Sequence, residues 1–217
     1  MRFSLIIPCY NENKNLPYLF NRLDNVLKNN LFEVVIVENG SNDGSFETIK
    51  KYSLKNKNLK YIRLEKNEGY GNGILKGLKI AKGDYLAWTH ADMQTDPQDI
   101  LKGRDLFLLS NKNIFVKGLR YGRPLNDRLF TIGMSIYCSF MLRTFLWDIN
   151  AQPSIFPAAF FESWENPPRD FSLDLYAYYQ AKKLGYKIHR IPVKFKNRLY
   201  GLSSWNTNFN SKFKFIK

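Results

Sequence analysis

Gly83-Asp84-Tyr85-Leu86-Ala87-Trp88-Thr89-His90-Ala91-Asp92-Met93-Gln94-Thr95-Asp96-Pro97 runs an apolar segment straight into a polar cluster. Residues 85–88 read as a strand. On an extended backbone, side chains two apart point to the same side. His90, Asp92 and Gln94 would then face one point. An imidazole, a carboxylate and an amide oxygen are each able to ligate a divalent ion. Asp96-Pro97 closes the element, because proline disfavours helix at the residue before it. The alternative is a strand end with a polar turn, and the surrounding chain decides between the two.

Residues 1–100 alternate strand and helix. Residues 3–8 form a short apolar run, the mark of a buried strand. Residues 15–28 carry Leu16, Leu19, Phe20, Leu23, Val26 and Leu27 at helical spacing. Residues 32–37 are rich in β-branched side chains and read as a second strand. Asn42-Asp43-Gly44-Ser45 is a turn suited to capping the helix after it. A third strand over 59–64, a helix over 71–81 and the strand over 85–88 complete the rhythm. Such alternation implies an α/β fold with a mainly parallel central sheet flanked by helices. Ligands of such sheets sit at the carboxyl ends of the strands. Tyr10-Asn11-Glu12, Glu38-Asn39-Gly40-Ser41 and His90-Ala91-Asp92 all fall there.

The second half is less regular. The sequence predicts a strand over 115–119, a basic loop over 120–123, an apolar helix over 132–147, a helix over 171–183 and a strand over 187–196. His189, Ile191, Val193 and Phe195 share one face of that last strand, so His189 reads as structural. There is no internal repeat or low-complexity linker. At 217 residues the chain fits one domain, with 1–100 as a ligand-binding half and 101–217 as a second half with a basic tail.

The formal net charge is +14, from 33 Lys and Arg against 19 Asp and Glu. No acidic residue follows Asp174, while Lys182, Lys183, Lys187, Arg190, Lys194, Lys196, Arg198, Lys212, Lys214 and Lys217 do. This block suggests an anionic partner: nucleic acid, diphosphate ligands or an anionic membrane surface. No nucleic-acid-binding motif accompanies the charge. No apolar run approaches the roughly 20 residues of a spanning helix, and the first residues lack the pattern of a signal peptide. A cytoplasmic protein, peripheral at the inner face of the membrane, is the expectation. Cys9 and Cys138 lack metal-site spacing and read as reduced thiols.

Gly69-Tyr70-Gly71-Asn72-Gly73 fits neither the dinucleotide G-x-G-x-x-G spacing nor a P-loop. Gly69 and Gly71 read instead as sites of close approach of backbone to a ligand, or as a turn. Asp170 and Asp174, around the start of a helix, suit the helix dipole or could serve as a general base. Arg120, Arg128 and Arg198 would form a diphosphate clamp if they shared one face, since guanidinium pairs bidentately with phosphate.

Together these motifs resemble the family 2 glycosyltransferases of GT-A fold, especially the dolichol-phosphate mannose synthase-like branch. Ile6-Ile7-Pro8-Cys9-Tyr10-Asn11-Glu12 is similar to the opening I-P-x-Y-N-E, and Val37-Glu38-Asn39-Gly40-Ser41-Asn42-Asp43-Gly44-Ser45 to V-D-D-G-S-x-D-G-[ST]. Asn67-Glu68-Gly69-Tyr70-Gly71, Gly77-Leu78 and Ala81-Lys82-Gly83-Asp84 follow the family order. His90-Ala91-Asp92-Met93-Gln94 stands where D-A-D-x-Q is expected. Gly118-Leu119-Arg120, Asp148-Ile149-Asn150, and Ile191-Pro192-Val193 with Arg198, Gly201 and Ser203 complete the pattern.

The resemblance implies inverting transfer of a sugar from a GDP- or UDP-sugar to an acceptor, a polyprenyl phosphate or a cell-envelope glycan. It implies that Pro8, Tyr10, Glu12, Glu38 and Asn39 line the nucleotide pocket, with Gly69 and Gly71 beside the ligand. Asp92 and Gln94, with His90, would hold Mn²⁺ or Mg²⁺ on the donor diphosphate. Arg120, Arg128 and Arg198 would contact phosphates, and Asp170 or Asp174 would be the base for a hydroxyl acceptor. Two positions depart from the pattern. His90 replaces the first acid of the metal motif and Asn39 the second acid of D-D-G-S, each removing one negative charge. The competing reading is a nucleotide-sugar-binding protein with impaired catalysis and an altered metal motif.

Overall fold

The computed structural model describes residues 1–109 and 113–201. Strands β1 (Phe3–Cys9), β2 (Phe32–Glu38), β3 (Leu59–Arg63) and β4 (Tyr85–Trp88) are joined by helices α1 (Leu16–Leu27), α2 (Ser45–Ser53) and α3 (Tyr70–Ile80). Then follow α4 (Asp99–Leu109), β5 (Ile114–Tyr121), α5 (Leu125–Met141), β6 (Ser154–Pro157), α6 (Ala158–Glu162), α7 (Leu173–Lys183) and β7 (Lys187–Lys194). The sheet order is β3-β2-β1-β4-β6-β5-β7. β6 runs antiparallel to β4 and β5, and the other pairs are parallel.

Alternation along β1 decides the layering. Leu5 and Ile7 face a core with α1, α2 and α4, while Ile6 faces one with α3, α6 and α7. Strands covered on both sides are apolar throughout, as β1 and β2 are. Strand order reverses around β1, the arrangement that opens a ligand crevice at the strands' carboxyl ends. The registers Cys9↔Glu38 and Ile6↔Trp88 bring the segments after β1, β2 and β4 to that one edge.

Differences from the sequence expectation are local. The helix expected over 132–147 is α5, displaced toward the N-terminus. Pro124 supplies the N-cap backbone and Arg143, at φ 48°, follows its end. Arg120 and Tyr121 belong to β5 rather than to a loop. α4, β6 and α6 escape the pattern reading. β6 has four residues, follows Pro153 and ends on Pro157, and its partners are distant in sequence. Within α4, Gly103 lets the helix lie close on β6: a Cβ there would lie 2.1 Å from Ile155 Cδ1, which would have to shift. At the 42–45 turn, Gly44 adopts φ 87° and Asp43 accepts hydrogen bonds from Ser45 N (3.0 Å) and Ser45 Oγ (2.6 Å).

α5 packs in an unusual way. Its buried residues are Thr131 and Ser135, while Leu125, Leu129, Ile136, Tyr137, Phe140 and Met141 are exposed. Among the described residues no helix is long and apolar enough to cross a membrane. Ser203, Lys212, Lys214 and Lys217 lie outside the described residues. Cys9 and Cys138 are free thiols.

Candidate active site

A cavity of about 570 Å³ opens at the carboxyl ends of β1, β2 and β4. One end is walled by Pro8, Tyr10, Glu12, Asn39 and Gly69. His90, Asp92, Gln94 and Arg198 line its middle, with Tyr70, Gln152 and Asp174. Arg120, Arg123, Phe130, Met134 and Phe195 line the other end. Four residues expected at the site, Glu38, Gly71, Arg128 and Asp170, are not on its wall.

The loop after β4 bends instead of continuing as a strand, with Met93 at φ 61°. His90, Asp92 and Gln94 nevertheless reach the same cavity. Asp92 is buried, accepts Gln94 N at 3.1 Å and pairs with Arg198 Nη2 at 2.9 Å. Arg198 also stands 3.7 Å from Glu12. The chain beyond β7 brings this arginine there, because Lys196 N donates to Gln94 O at 2.8 Å. The His90 ring stacks on Tyr70, at 5.3 Å and 15°. Among the described residues, no three His, Cys, Asp or Glu side chains form a group able to hold a metal alone. The donors present, one carboxylate with an imidazole and an amide, fit a divalent ion that takes further oxygens from a bound diphosphate.

Burial pushes the Glu12 carboxyl above its ordinary range, against the hydrogen bond from Asn15 and the charge of Arg198. Cys9 also lines the cavity. Burial, reinforced by Glu12 and Glu38, drives its thiol far up, so it is a packing group and not a nucleophile.

Asn39 has a positive role. Its Nδ2 donates to Gly69 O (3.0 Å) and Asn67 Oδ1 (3.1 Å), and its Oδ1 accepts Glu68 N (3.1 Å). An aspartate could not donate to that carbonyl. The missing acid is thus an amide that pins the 67–69 loop, where Gly69 takes φ 92°, ψ 166°. Gly71 answers to the chain and not to a ligand. A Cβ there would lie 2.4 Å from Asp170 O, and Asn72 N donates to Arg169 O at 2.8 Å. Glu38 is fully buried, accepting Ser41 N at 2.5 Å and pairing with Arg63 at 3.3 Å.

At the other end, Arg120 is committed to Asp148. Arg120 N and Nε both donate to that carboxylate at 2.8 Å, and Arg190 stands 3.9 Å from it. Burial alone would raise the Asp148 carboxyl, but Arg120 and then Arg190 hold it below its usual range. Arg128 is exposed on α5. Sequence reasoning passed over Arg123, although the same basic loop contained it. Its Nη1 donates to Thr131 Oγ1 at 2.6 Å, its Nε is buried without a partner, and it makes no ion pair among the described residues. Burial, then repulsion from Arg120, lowers its guanidinium to about 10. Both arginines pack against the Phe195 ring, at 5.4 and 5.1 Å. Such a cluster of cations has a deficit of one or more negative charges.

Asp174 sits on the cavity floor, closely held. It accepts Tyr70 OH (2.9 Å), Gln152 Nε2 (2.6 Å) and Trp88 Nε1 (3.3 Å), with Lys117 Nζ at 3.5 Å. Asp170 caps the start of α7 by accepting Ser172 N and Oγ, which holds its carboxyl below the ordinary range.

The chain belongs to glycosyl transferase family 2, whose profile matches residues 4–166. It is 39% identical over 102 residues to a dolichol-phosphate mannosyltransferase of Pyrococcus furiosus, covering 47% of this chain and 29% of that protein. It is 30% identical over 144 residues to one of Mycosarcoma maydis, covering 60% and 48%. The chain thus spans between about a third and a half of these relatives' length. Among solved structures it resembles the mannosyltransferase PcManGT of Pyrobaculum calidifontis in complex with GDP-Man and Mn²⁺, with TM-score 0.68, 18% identity and coverage of 92% of this chain and 58% of the other. It also resembles glucosyl-3-phosphoglycerate synthase of Mycobacterium tuberculosis in complex with Mn²⁺, UDP and glucosyl-3-phosphoglycerate, with TM-score 0.75, 13% identity and coverage of 93% and 73%. These likenesses establish the GT-A fold.

Proposed function

We propose that this chain transfers a sugar from a GDP- or UDP-sugar to a polyprenyl phosphate with inversion. The observation that carries the reading is the composition of a single cavity. Family nucleotide motifs wall one end, and an under-neutralised arginine cluster walls the other, beside the exposed apolar face of α5.

Pro8, Tyr10 and Glu12 would receive the nucleoside. Arg198, paired with Asp92 at 2.9 Å, would turn to the diphosphate. Asp92, Gln94 and His90 would hold Mn²⁺ or Mg²⁺, which when bound supplies Lewis-acid stabilisation of charge on the leaving diphosphate. Arg123 would place the acceptor phosphate. One phosphate oxygen forms a bond to the anomeric carbon as the bond to the diphosphate oxygen breaks, and that oxygen leaves with the electron pair.

A phosphate acceptor is already anionic and needs no base. This suits the carboxylates present, since Asp170 lies off the cavity and Asp174 is occupied by four donors. A hydroxyl acceptor would need one of them free. The exposed Leu129 and Phe140 of α5 and Phe145 just beyond it, with Arg128 and Arg143 exposed in the same stretch, suit an anionic lipid surface. Each such cation near the surface contributes about 1 kcal/mol, which would hold the protein at the inner face of a membrane.

The test is transfer of labelled sugar from GDP- and UDP-hexoses, with Mn²⁺, to polyprenyl phosphate or to the uncharged polyprenol in anionic vesicles. Label should pass to the phosphate and not to the alcohol. Transfer to soluble glycan hydroxyls with none to the lipid phosphate would overturn the acceptor assignment.

A further inference from the structure

Gln152 lies just before β6 and is only 1% exposed, yet it forms part of the cavity wall. Its Nε2 donates to Asp174 Oδ1 at 2.6 Å and stands 3.3 Å from the Tyr70 hydroxyl. Its Oε1 is buried and has no hydrogen-bond partner among the described residues. A buried acceptor left without a donor in this way destabilises the fold. Retaining one at a ligand cavity calls for a ligand that satisfies it.

The orientation of this amide is chemically fixed. The Asp174 carboxylate faces the buried Lys117 Nζ and only accepts hydrogen bonds. The Tyr70 hydroxyl spends its proton on Asp174 Oδ2, so toward Gln152 it too can only accept. Both neighbours therefore require the NH₂ edge of Gln152. A flipped amide would set its oxygen against a carboxylate oxygen. Oε1 can therefore only accept, and whatever meets it must donate.

Location narrows the donor further. Gln152 touches Tyr70, whose ring stacks on His90 of the proposed metal and diphosphate cluster. Two residues earlier in the chain Asn150 lines the cavity, and Asp148 two before that anchors Arg120 of the arginine end. Between a leaving diphosphate and an incoming phosphate lies the transferred group. Phosphate oxygens would be repelled by a bare amide oxygen, whereas sugar hydroxyls donate to it.

We infer that Gln152 Oε1 accepts a hydrogen bond from one hydroxyl of the donor sugar, with the Lys117–Asp174 pair and Tyr70 as positioning residues that fix the amide's polarity. This rests on the nucleotide-sugar reading above. It assigns sugar selection to a side chain that carries no charge and makes no step of the chemistry.

The test is calorimetric binding, with Mn²⁺ present, of GDP, UDP and a panel of their hexose and monodeoxyhexose conjugates to wild type, Gln152→Leu and Asp174→Asn. Gln152→Leu should bind the parent nucleoside diphosphate like wild type and the preferred nucleotide sugar about tenfold or more weakly, as for a site built to bond a hydroxyl. One monodeoxy conjugate should show the same loss on wild type and no additional loss on Gln152→Leu. Asp174→Asn, which lets the amide flip, should blunt discrimination between that conjugate and its parent. Should Asp174→Asn fail to fold, the Gln152→Leu comparison still decides. Equal losses for nucleoside diphosphate and nucleotide sugar, or wild-type affinity of Gln152→Leu for the sugar conjugate, would overturn the inference alone. A wild type that binds no nucleoside diphosphate and none of the conjugates would overturn the nucleotide-sugar reading as well.

Discussion

Replacing Lys117 by methionine tests the buried network beneath the cavity. The lysine side chain is fully buried, with Nζ 2.9 Å from Ser154 Oγ and 3.5 Å from Asp174 Oδ1. Removing one member of a buried ion pair typically costs about 3–5 kcal/mol. Here the pair is long and Asp174 keeps three other donors, so we expect a loss at or just below that range, about 2–3 kcal/mol at pH 7. The pH dependence has a definite sign. Burial pushes Lys117 from 10.5 down to about 8, against the pull of Asp174. Between those values the unfolded chain carries a proton that the folded one lacks, so the wild type gains stability as pH rises through that window. Methionine has no such gain. The difference between the two proteins should therefore widen from pH 7 to pH 10, by up to about 3 kcal/mol. Urea unfolding followed by tryptophan fluorescence reads this directly, since Trp88 is itself bonded to Asp174. A loss below about 0.5 kcal/mol at both pH values, with no widening, would show that Lys117 is not held against Asp174 in a dry interior.

Three further outcomes are expected. Arg123→Ala should raise the KM for a phosphate-bearing acceptor about 10- to 100-fold while leaving nucleoside diphosphate affinity unchanged, measured by steady-state kinetics and calorimetry. Phe140→Asp with Phe145→Asp should abolish co-sedimentation with anionic vesicles and leave the free energy of unfolding within about 0.5 kcal/mol of wild type, because both rings are exposed. Mn²⁺ should bind measurably only when GDP or UDP is present, and His90→Asp should strengthen it; tight Mn²⁺ binding to the free protein would count against a ligand set completed by the diphosphate.

The first half of the molecule was readable because its signals are local. Apolar runs, helical spacing and the polar residues after β1, β2 and β4 each lie within a few positions, and the parallel order follows from their alternation. His90, Asp92 and Gln94 reach one cavity as their spacing suggested, although by a bent loop and not by a continued strand. What escaped depends on pairings distant in sequence. Arg120 is held by Asp148, 28 residues on. Asn39 exchanges a charge for an amide because its partners are a carbonyl and two residues of the 67–69 loop. β6 has only four residues, follows one proline and ends on another, and leaves no periodicity to detect. Arg123 and Lys117 did leave signals. The first lies in the basic loop already singled out. The second is a lone charge inside Ile114-Phe115-Val116-Lys117-Gly118, an otherwise apolar strand whose burial demands a partner. Gln152 left none, since an uncharged residue in irregular chain has no pattern to break.

The contact between α3 and residues 169–170 sets how closely the two halves of the chain approach. Gly71 leaves no room for even a methyl group against Asp170 O, Asn72 N is bonded to Arg169 O, and Tyr70 OH reaches Asp174. Main chain meets main chain there, with no side chains between to slide or repack. The two halves of the chain thus meet backbone to backbone beside the cavity, and even Gly71→Ala would have to part them.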